Sequence, residues 1–122
     1  MAAFILAIDQ GTTGTTVALM DAAGQLRASV NIEFPQHYPQ PGWVEHDAAD
    51  IWSSVQRGIR SVLRKRVCKP ADIVGIGITN QRETSLLWNR DNGEALNRAI
   101  VWQCRRTTDM LSALSLEADI II

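Results

Sequence analysis

Apolar residues occur along this chain in short runs that are separated by polar turns. Residues 4–8 are apolar without interruption, which is typical of a strand that is buried on both faces. Residues 15–20 are β-branched at their start, and residues 25–34 alternate apolar with polar positions, so each range predicts a further strand. Because the connections between these strands are short, we expect a three-stranded antiparallel meander.

A helical pattern follows a loop that runs from Pro35 to Trp43 and is rich in proline and glycine. Asp47 has the position and residue type of a helix N-cap. The basic residues 64–66 end the pattern, where positive charge complements the helix dipole. The apolar residues that share one helical face are Ile51, Trp52, Val55, Ile59, Val62 and Leu63. Such a face predicts a helix that packs against the sheet.

A fourth strand is expected after the helix, at residues 73–79, where apolar residues and glycines predict another buried segment. Gly75 and Gly77 indicate close packing and not a dinucleotide-binding loop, because no third glycine follows in the required spacing. A helix that connects the meander to this strand makes a crossover, and a crossover joins parallel strands. We therefore expect an α/β fold with a mixed sheet.

The last third of the sequence predicts a pair of strands and a second helix. Residues 85–88 and 99–102 flank an Asp-Asn-Gly turn at residues 91–93, which is typical of a hairpin. The helix is expected to begin at about residue 107. The sequence ends on three isoleucines, the last of them Ile122, and an exposed apolar end of this kind is rare in a finished protein. We expect a piece of a longer protein, whose uncovered apolar surface favours association into a homo-oligomer.

Composition and charge argue against several classes of function. The net charge of −1 and the lack of a basic stripe argue against nucleic-acid binding. Cys68 and Cys104 form no CxxC motif and predict reduced thiols in a cytoplasmic protein. His37 and His46 lack ligand spacing, which argues against a zinc site. The apolar run at residues 4–8 is too short to span a membrane.

The turn at residues 9–14, Asp-Gln-Gly-Thr-Thr-Gly, closes directly behind the first strand. Its glycines allow close backbone approach and positive φ, and its threonines supply hydroxyl and N–H donors for a phosphate. The candidate phosphate-binding residues are Gly11, Thr12, Thr13 and Gly14. Asp9 would repel a phosphate unless Mg²⁺ lies between them, so it is a candidate metal-binding residue. An ordinary hairpin turn explains these residue types equally well, but the buried strand that leads into Asp9 favours a function.

A second candidate site is the segment of residues 79–84, which follows the fourth strand, where open α/β sheets bind ligands. Arg82 only donates hydrogen bonds and an ionised Glu83 only accepts them, so the two can grip the hydroxyls of a small polyol. From the residues alone, a surface ion pair between them is slightly favoured. Trp102 either forms an apolar wall for such a polyol or belongs to the core.

Four stretches together resemble the N-terminal part of the FGGY family of carbohydrate kinases, and most specifically its members that phosphorylate glycerol. The stretches are residues 9–13, 38–47, 76–84 and 99–106. They keep the family's order and spacing from residue 4 to about residue 108. The resemblance implies an α/β fold like those of ribonuclease H, actin and the hexokinases. It also implies that residues 1–122 are an incomplete part of the first of two domains.

The resemblance further implies a function, which is the transfer of a phosphoryl group from ATP to glycerol by the complete enzyme, with Mg²⁺ as a second cofactor. Asp9 would lie near the metal, and the turn that follows it would line the nucleotide phosphates. Arg82 and Glu83 would bind the glycerol hydroxyls, and Trp102 would pack on its carbon atoms. The general base of the reaction would lie beyond Ile122, so the isolated chain is expected to hold no catalytic residue and to be inactive.

One residue departs from the family's pattern. Thr16 stands where the family commonly has an arginine that approaches the nucleotide phosphates, and a threonine supplies a hydroxyl without the charge. Two other functions are compatible with the residues: a kinase for another polyol or sugar, and an actin-like ATP-binding module. The segment with Arg82 and Glu83 argues against the second of these, because an ATPase needs no grip on a polyol.

Overall fold

The structure is a computed structural model that describes residues 3–117, with side chains described as far as residue 114. Its elements, in chain order, are β1 (Phe4–Gln10), β2 (Gly14–Asp21), β3 (Leu26–Glu33), β4 (Glu45–His46), α1 (Ala48–Arg64), β5 (Ile73–Asn80), β6 (Ala99–Ile100) and α2 (Thr108–Glu117). A short 3₁₀ turn at Pro70–Asp72 leads into β5.

The apolar end at Ile122 lies outside the described residues, so the expectation that it is exposed stays a prediction. The predicted place of the general base, beyond Ile122, also lies outside them and is not tested by this structure.

The central sheet has the strand order β3-β2-β1-β5. Strands β1, β2 and β3 pair antiparallel in succession, so the predicted meander is confirmed. Strand β5 pairs with β1 in the parallel direction after the crossover through α1. The predicted α/β fold with a mixed sheet is therefore confirmed. The crossover is long enough to hold a helix because parallel strands run in the same direction and the chain must return between them.

Helix α1 begins at the predicted N-cap, where the Asp47 carboxylate accepts a hydrogen bond of 2.8 Å from the backbone N–H of Ala49. It ends at Arg64, within the predicted basic segment. The fully buried helix positions are Ser54, Gly58 and Val62. Trp52, which the pattern assigned to the buried face, is 61% exposed, so that assignment is wrong. Ser54 faces the sheet, and two residues are about 200° apart around a helix. The side chain of Trp52 therefore points away from the sheet.

Small residues let α1 lie close to β2. A Cβ atom added at Gly58 would lie 2.5 Å from Val17 Cγ2, so only glycine fits at this crossing. The buried hydroxyls of Ser54 and Thr15 pair across the same contact at 2.6 Å, which satisfies both polar groups away from water. The core between α1 and the sheet consists of Phe4, Leu6, Ile8, Val17, Leu19, Ala28 and Val62.

Apolar side chains on both faces of the sheet are uncovered by the described residues. The side chains of Val74, Ile76 and Ile78 in β5 are 69%, 61% and 74% exposed, and Ile5 in β1 is 40% exposed. The predictions that residues 4–8 are buried on both faces and that residues 73–79 form a buried strand are therefore wrong for this chain. Helix α1 packs on the face that carries Leu6 and Ile8 but does not cover the edge strand β5, where Ile76 and Ile78 lie level with those residues on the same face. Ile5 points to the opposite face, since successive side chains of a strand alternate.

The predicted hairpin in the last third of the chain forms only in part. Isolated bridges pair Ser85 with Ile100 and Trp88 with Ala95, around a turn in which Gly93 has a φ of +74°. The regular pairing of β6 is instead with β4, in an antiparallel pair that the sequence did not predict. A strand of two residues is too short to show a period in the sequence, which explains why β4 was missed.

Helix α2 begins at Thr108, close to the predicted start at residue 107. Its apolar residues Met110, Leu111 and Leu114 are all more than half exposed, so the helix buries little of its surface against the rest of the described chain. Among residues 3–117, no helix combines the length and the apolar content that crossing a membrane requires.

Candidate active site

The pairing of β1 with β5 brings the two candidate segments to one edge of the sheet. In this parallel pair Asp9 is level with Thr79, and Gln10 is level with Asn80. The phosphate turn (residues 11–14) and the acceptor segment (residues 79–84) therefore leave the sheet side by side. This edge is the carboxyl end of the parallel strands, where α/β sheets bind ligands.

The phosphate turn is tight, but neither of its glycines has a positive φ, so that part of the prediction is wrong. A hydrogen bond of 2.9 Å between its first N–H and its last carbonyl group closes the turn. Glycine is needed for space, since a Cβ atom at Gly14 would lie 2.9 Å from the carbonyl oxygen of Ile32. Within the described part of the chain, the backbone N–H groups of Thr12 and Thr13 have no hydrogen-bond partner. Both can therefore donate to an anion.

Asp9 is exposed and lies in a small cleft of about 280 Å³ together with Thr16 and Thr79. In the described ranges, no three His, Cys, Asp or Glu side chains converge on one point, so Asp9 does not belong to a cluster of ligands. One carboxylate suits Mg²⁺, which usually keeps several waters and binds phosphate oxygens as well. Thr16 Oγ1 accepts a hydrogen bond of 2.9 Å from the Asn31 amide and keeps its own proton for donation.

The acceptor segment forms one side of an open cleft of about 480 Å³, which is lined by Asn80, Gln81, Arg82, Glu83 and Trp102. The side chains of Arg82 and Glu83 are exposed and make no ion pair with each other, so the surface ion pair favoured from the residues alone is not formed. Glu83 has a φ of +58°, a left-handed conformation that is uncommon without glycine. Strained backbone of this kind concentrates at binding sites.

Trp102 is a wall of the cleft and not a core residue, since it is 52% exposed. Its indole Nε1–H donates a hydrogen bond of 3.0 Å to Thr12 Oγ1 in the phosphate turn. The preceding residue, Val101, is buried, and its backbone N–H bonds the carbonyl oxygen of Val44 at 3.2 Å. Strand β6 and this bond place the indole where the acceptor cleft meets the phosphate turn.

The loop after Trp102 is held by Arg106. The guanidinium donates hydrogen bonds of 2.8 Å to Glu45 Oε1 and 2.9 Å to Cys104 Sγ, and it lies 3.7 Å from the centroid of the Trp43 ring. Burial opposes ionisation of the Cys104 thiol, but the hydrogen bonds from Arg106 outweigh it and lower the pKa of that thiol. Because Glu45 belongs to β4, these contacts tie the loop to the β4–β6 pair.

Three side chains that the sequence did not single out as site residues connect the two halves of the site. Gln36 Nε2 donates to the carbonyl oxygen of Thr12 at 3.1 Å, His46 Nε2 lies 2.5 Å from Gln36 Oε1, and His46 Nδ1 lies 3.0 Å from Gln81 Nε2. His46 is fully buried, and this burial, together with the charge of nearby His37, lowers its pKa. A buried histidine that binds no metal needs other polar partners. In the sequence, the lack of metal-ligand spacing around His46 was therefore the one sign that it could belong to a hydrogen-bonded network.

Residues 4–120 of the sequence match the family model described as the FGGY family of carbohydrate kinases, N-terminal domain. The chain belongs to the FGGY family of carbohydrate kinases. Its resemblance to that family, inferred from four short stretches, is thus confirmed over nearly the whole sequence. The site described above lies entirely within the matched residues.

Relatives of this FGGY family member include two bacterial glycerol kinases. The sequence is 53% identical over 114 residues to a glycerol kinase from Bdellovibrio bacteriovorus and 48% identical over 114 residues to one from Caldanaerobacter subterraneus. Each match covers 93% of this chain but 23% of the relative. The chain therefore spans about a quarter of the length of these relatives.

Solved structures of the family show the same fold. A crystal structure of Plasmodium falciparum glycerol kinase with ADP matches with a TM-score of 0.85 and 31% identity, over 97% of this chain and 24% of that one. A gluconate kinase from Lactobacillus acidophilus matches with a TM-score of 0.86 and 25% identity, over 96% and 23%. The ribonuclease H-like fold class is confirmed. Because kinases for different acceptors share it, the fold alone does not select the substrate.

Proposed function

We propose that residues 1–122 form the N-terminal part of the first domain of an enzyme that transfers the γ-phosphoryl group of ATP to glycerol, giving sn-glycerol 3-phosphate. The observation that carries this proposal is the hydrogen bond from Trp102, in the acceptor cleft, to Thr12, in the phosphate turn. A nucleotide in the turn and an alcohol in the cleft would be neighbours, as phosphoryl transfer requires. The identity of 53% to a glycerol kinase supports glycerol as the alcohol.

On the nucleotide side, we assign Gly11, Thr12, Thr13 and Gly14 to the phosphates of ATP or ADP. The free N–H groups of the two threonines supply donors, and the glycines let the turn close tightly against itself and β3, which holds those donors in place. Asp9 would hold Mg²⁺ through water, and the metal would neutralise charge on the phosphates. Thr16 adds a neutral donor at the side of the cleft, where the family commonly has a cation.

On the acceptor side, we assign Arg82, Glu83 and Trp102 to glycerol. The Arg82 guanidinium donates hydrogen bonds to the hydroxyl oxygens, and the Glu83 carboxylate accepts hydrogen bonds from the hydroxyl groups. The indole of Trp102 packs against the carbon atoms, and this apolar contact fixes which side of the polyol faces the protein. Together these contacts would hold one terminal hydroxyl in line with the donor phosphate.

We propose that catalysis needs the C-terminal part that the relatives possess. Among the residues that line the acceptor cleft, Glu83 is the carboxylate, and its binding role leaves the general base to be supplied from beyond Ile122. That part would also cover the exposed side chains of Ile76 and Ile78, which lie on β5 beside α1. Without that part, the same exposed side chains would favour association of this chain, and we also propose a homo-oligomer on that ground. The free thiols of Cys68 and Cys104 support a cytoplasmic enzyme.

The test uses the complete enzyme, by which we mean this chain continued by the C-terminal part of the B. bacteriovorus relative. We expect ATP-dependent formation of glycerol 3-phosphate by this enzyme and none by the 122-residue chain alone. Replacing Arg82 with alanine removes a charged hydrogen-bond donor and should raise the KM for glycerol at least about tenfold. Arg57→Ala, at an exposed position on α1, is the matched control and should change no kinetic constant. An unchanged glycerol KM in Arg82→Ala would refute the acceptor assignment.

A kinase for another polyol or sugar is the second candidate, because a gluconate kinase and a xylulose kinase share the fold with TM-scores of 0.86 and 0.85. Rates with glycerol, erythritol and xylulose separate these candidates, and we expect glycerol to have the highest kcat/KM. An actin-like ATP-binding module is the third candidate. Glycerol should raise the melting temperature of the complete enzyme, since a ligand that binds the folded state stabilises it, whereas such a module would show no effect.

A further inference from the structure

A chain of buried and half-buried side chains connects the phosphate turn to the acceptor segment. It runs from the carbonyl oxygen of Thr12 to Gln36, then to His46, and then to Gln81. The three distances are 3.1 Å, 2.5 Å and 3.0 Å. His46 is 0% exposed and Gln81 is 8% exposed, so water does not compete for the hydrogen bond between them, whereas Gln36 is half-buried.

The direction of every hydrogen bond in this chain follows from its first member. A carbonyl oxygen only accepts, and Gln36 Nε2 faces two of them, those of Thr12 and Phe34. Gln36 must therefore present its Oε1 to His46, which requires a proton on His46 Nε2. A neutral imidazole that is protonated at Nε2 is an acceptor at Nδ1, where Gln81 Nε2 donates.

The orientation of the Gln81 amide is thus set from the phosphate turn. In this orientation Gln81 Oε1 is buried and has no hydrogen-bond partner among the described residues. A buried oxygen without a hydrogen bond costs free energy, which would favour a rotation of the amide that exchanges its oxygen and nitrogen. The rotation is opposed by His46, because the amide oxygen would then face the unprotonated Nδ1. Gln81 directly precedes Arg82 and the left-handed Glu83, and all three line the acceptor cleft.

We propose that His46 is a positioning residue, which as a neutral Nε2–H imidazole aligns the acceptor segment with the phosphate turn through Gln81 and Gln36. This inference rests on the proposed function, because the two aligned parts are the proposed acceptor and nucleotide sites. His46 lines neither cleft and acts only through its neighbours. The alternative is that His46 only stabilises the fold, by packing its ring against Phe34, whose ring centroid lies 5.0 Å from that of His46.

The first test reads the tautomer directly and needs no activity. The chain contains two histidines, so a His37→Gln variant assigns the ring-nitrogen NMR signals of the other in histidine labelled with nitrogen-15. We expect a proton on His46 Nε2 and none on Nδ1 at neutral pH. A proton on Nδ1 would overturn the proposal, because Gln81 and His46 would then face each other with two donors.

The second test uses the kinetics of the complete enzyme. His46→Phe keeps an aromatic ring beside Phe34 but removes both hydrogen bonds, and we expect the KM values for glycerol and for ATP each to rise about fivefold. Val62→Ala, in the core far from the chain of side chains, is the control for lost stability and should leave both KM values unchanged. Equal effects in the two variants would show that the role of His46 is structural.

A further pair of variants keeps the proposal testable if His46→Phe fails to fold. Gln36→Met lies on the nucleotide side and lines neither cleft, yet it should raise the KM for glycerol, because His46 and Gln81 lose their anchor. The double variant Gln36→Met with Gln81→Met should be no worse than the larger single effect. Additive effects, or a glycerol KM that Gln36→Met leaves unchanged, would overturn the proposal. If the unsubstituted complete enzyme does not phosphorylate glycerol, the proposed function fails instead.

Discussion

The indole Nε1 of Trp102 lies 3.0 Å from Thr12 Oγ1, although 90 positions separate the two residues in the sequence. The hydroxyl of Thr12 accepts this hydrogen bond and retains its own proton, which it can donate to a phosphate oxygen. Trp102 at the same time lines the acceptor cleft. One hydrogen bond thus joins the two proposed binding sites.

Removing this hydrogen bond should lower the catalytic efficiency of the complete enzyme with glycerol without unfolding it. Trp102→Phe keeps an aromatic wall and loses the N–H donor, so we expect kcat/KM for glycerol in the complete enzyme to fall about fivefold. Thr12→Val removes the acceptor of the same hydrogen bond. The kcat/KM of the double variant should be no lower than that of the more impaired single variant, which corresponds to a coupling of about 1 kcal/mol. Trp88→Phe, at an exposed tryptophan outside the cleft, serves as the control. Additive effects of the Trp102 and Thr12 substitutions would contradict this prediction.

Two substitutions at Glu83 separate the contribution of its carboxylate to glycerol binding from the cost of its left-handed backbone to stability. Glu83→Gly should raise the free energy of unfolding by about 1 kcal/mol, because glycine adopts a φ of +58° without the steric cost of a Cβ atom. The same variant should raise the KM for glycerol, since the carboxylate is lost. Glu83→Gln keeps the Cβ atom and should raise the KM without the gain in stability. Denaturant unfolding and initial rates measure the two effects, and a loss of stability in Glu83→Gly would contradict the first.

The crossing of α1 over β2 depends on glycine at position 58. Gly58→Ala places a methyl group 2.5 Å from Val17 Cγ2, inside a fully packed core, and should lower the free energy of unfolding by about 1–3 kcal/mol. Gly77→Ala is the matched control, because no atom lies within 4 Å of the added Cβ in this chain. Urea unfolding of the chain measures both variants. Equal stabilities of the two would show that the helix shifts to make room at no cost.

The stability of the chain should fall as the pH drops below the ordinary histidine pKa of 6.5. Burial of His46, aided by the charge of His37, lowers its pKa in the folded state, so in this range the unfolded state binds more protons. The stability is fully present above pH 6.5 and is lost as the pH falls from there towards the folded-state pKa. His46→Phe should remove this dependence from melting curves recorded between about pH 5 and 7. If the melting temperature of His46→Phe changed with pH as steeply as that of the unsubstituted chain, groups other than His46 would cause the pH dependence.

Much of the fold could be predicted because its signals are local. The apolar runs of β1 and β2, the N-cap at Asp47 and the basic end of α1 each involve neighbouring residues, and all are confirmed. The crossover then required β5 to be parallel to β1. Failures occurred where burial depends on distant parts of the chain. Trp52 and the apolar side chains of β5 have the composition of buried residues, yet the described residues do not cover them.

The site was predicted in the same uneven way. Asp9 and the phosphate turn were recognisable because specific residue types follow the end of a strand. Arg82 and Glu83 were favoured as site residues only through the resemblance to the FGGY family. The structure brings these segments together, and their binding roles remain predictions. From the residues alone, Trp102 was left undecided between wall and core, and its exposure in the lining of the acceptor cleft decides for the wall. The glycines of the turn were identified for the wrong reason, since they provide space and not a positive φ.

By itself, the sequence determined the order of the four strands of the central sheet and of helix α1, the α/β class, the family and the residues that are candidates for binding phosphate and polyol. These properties depend on residue types at short spacing, where geometry is set by the backbone. Only the tertiary structure decided which side chains meet: Trp102 with Thr12, and His46 between Gln36 and Gln81. Such contacts join residues that are 10, 35 or 90 positions apart, and their geometry depends on the pairing of β4 with β6 and of β1 with β5.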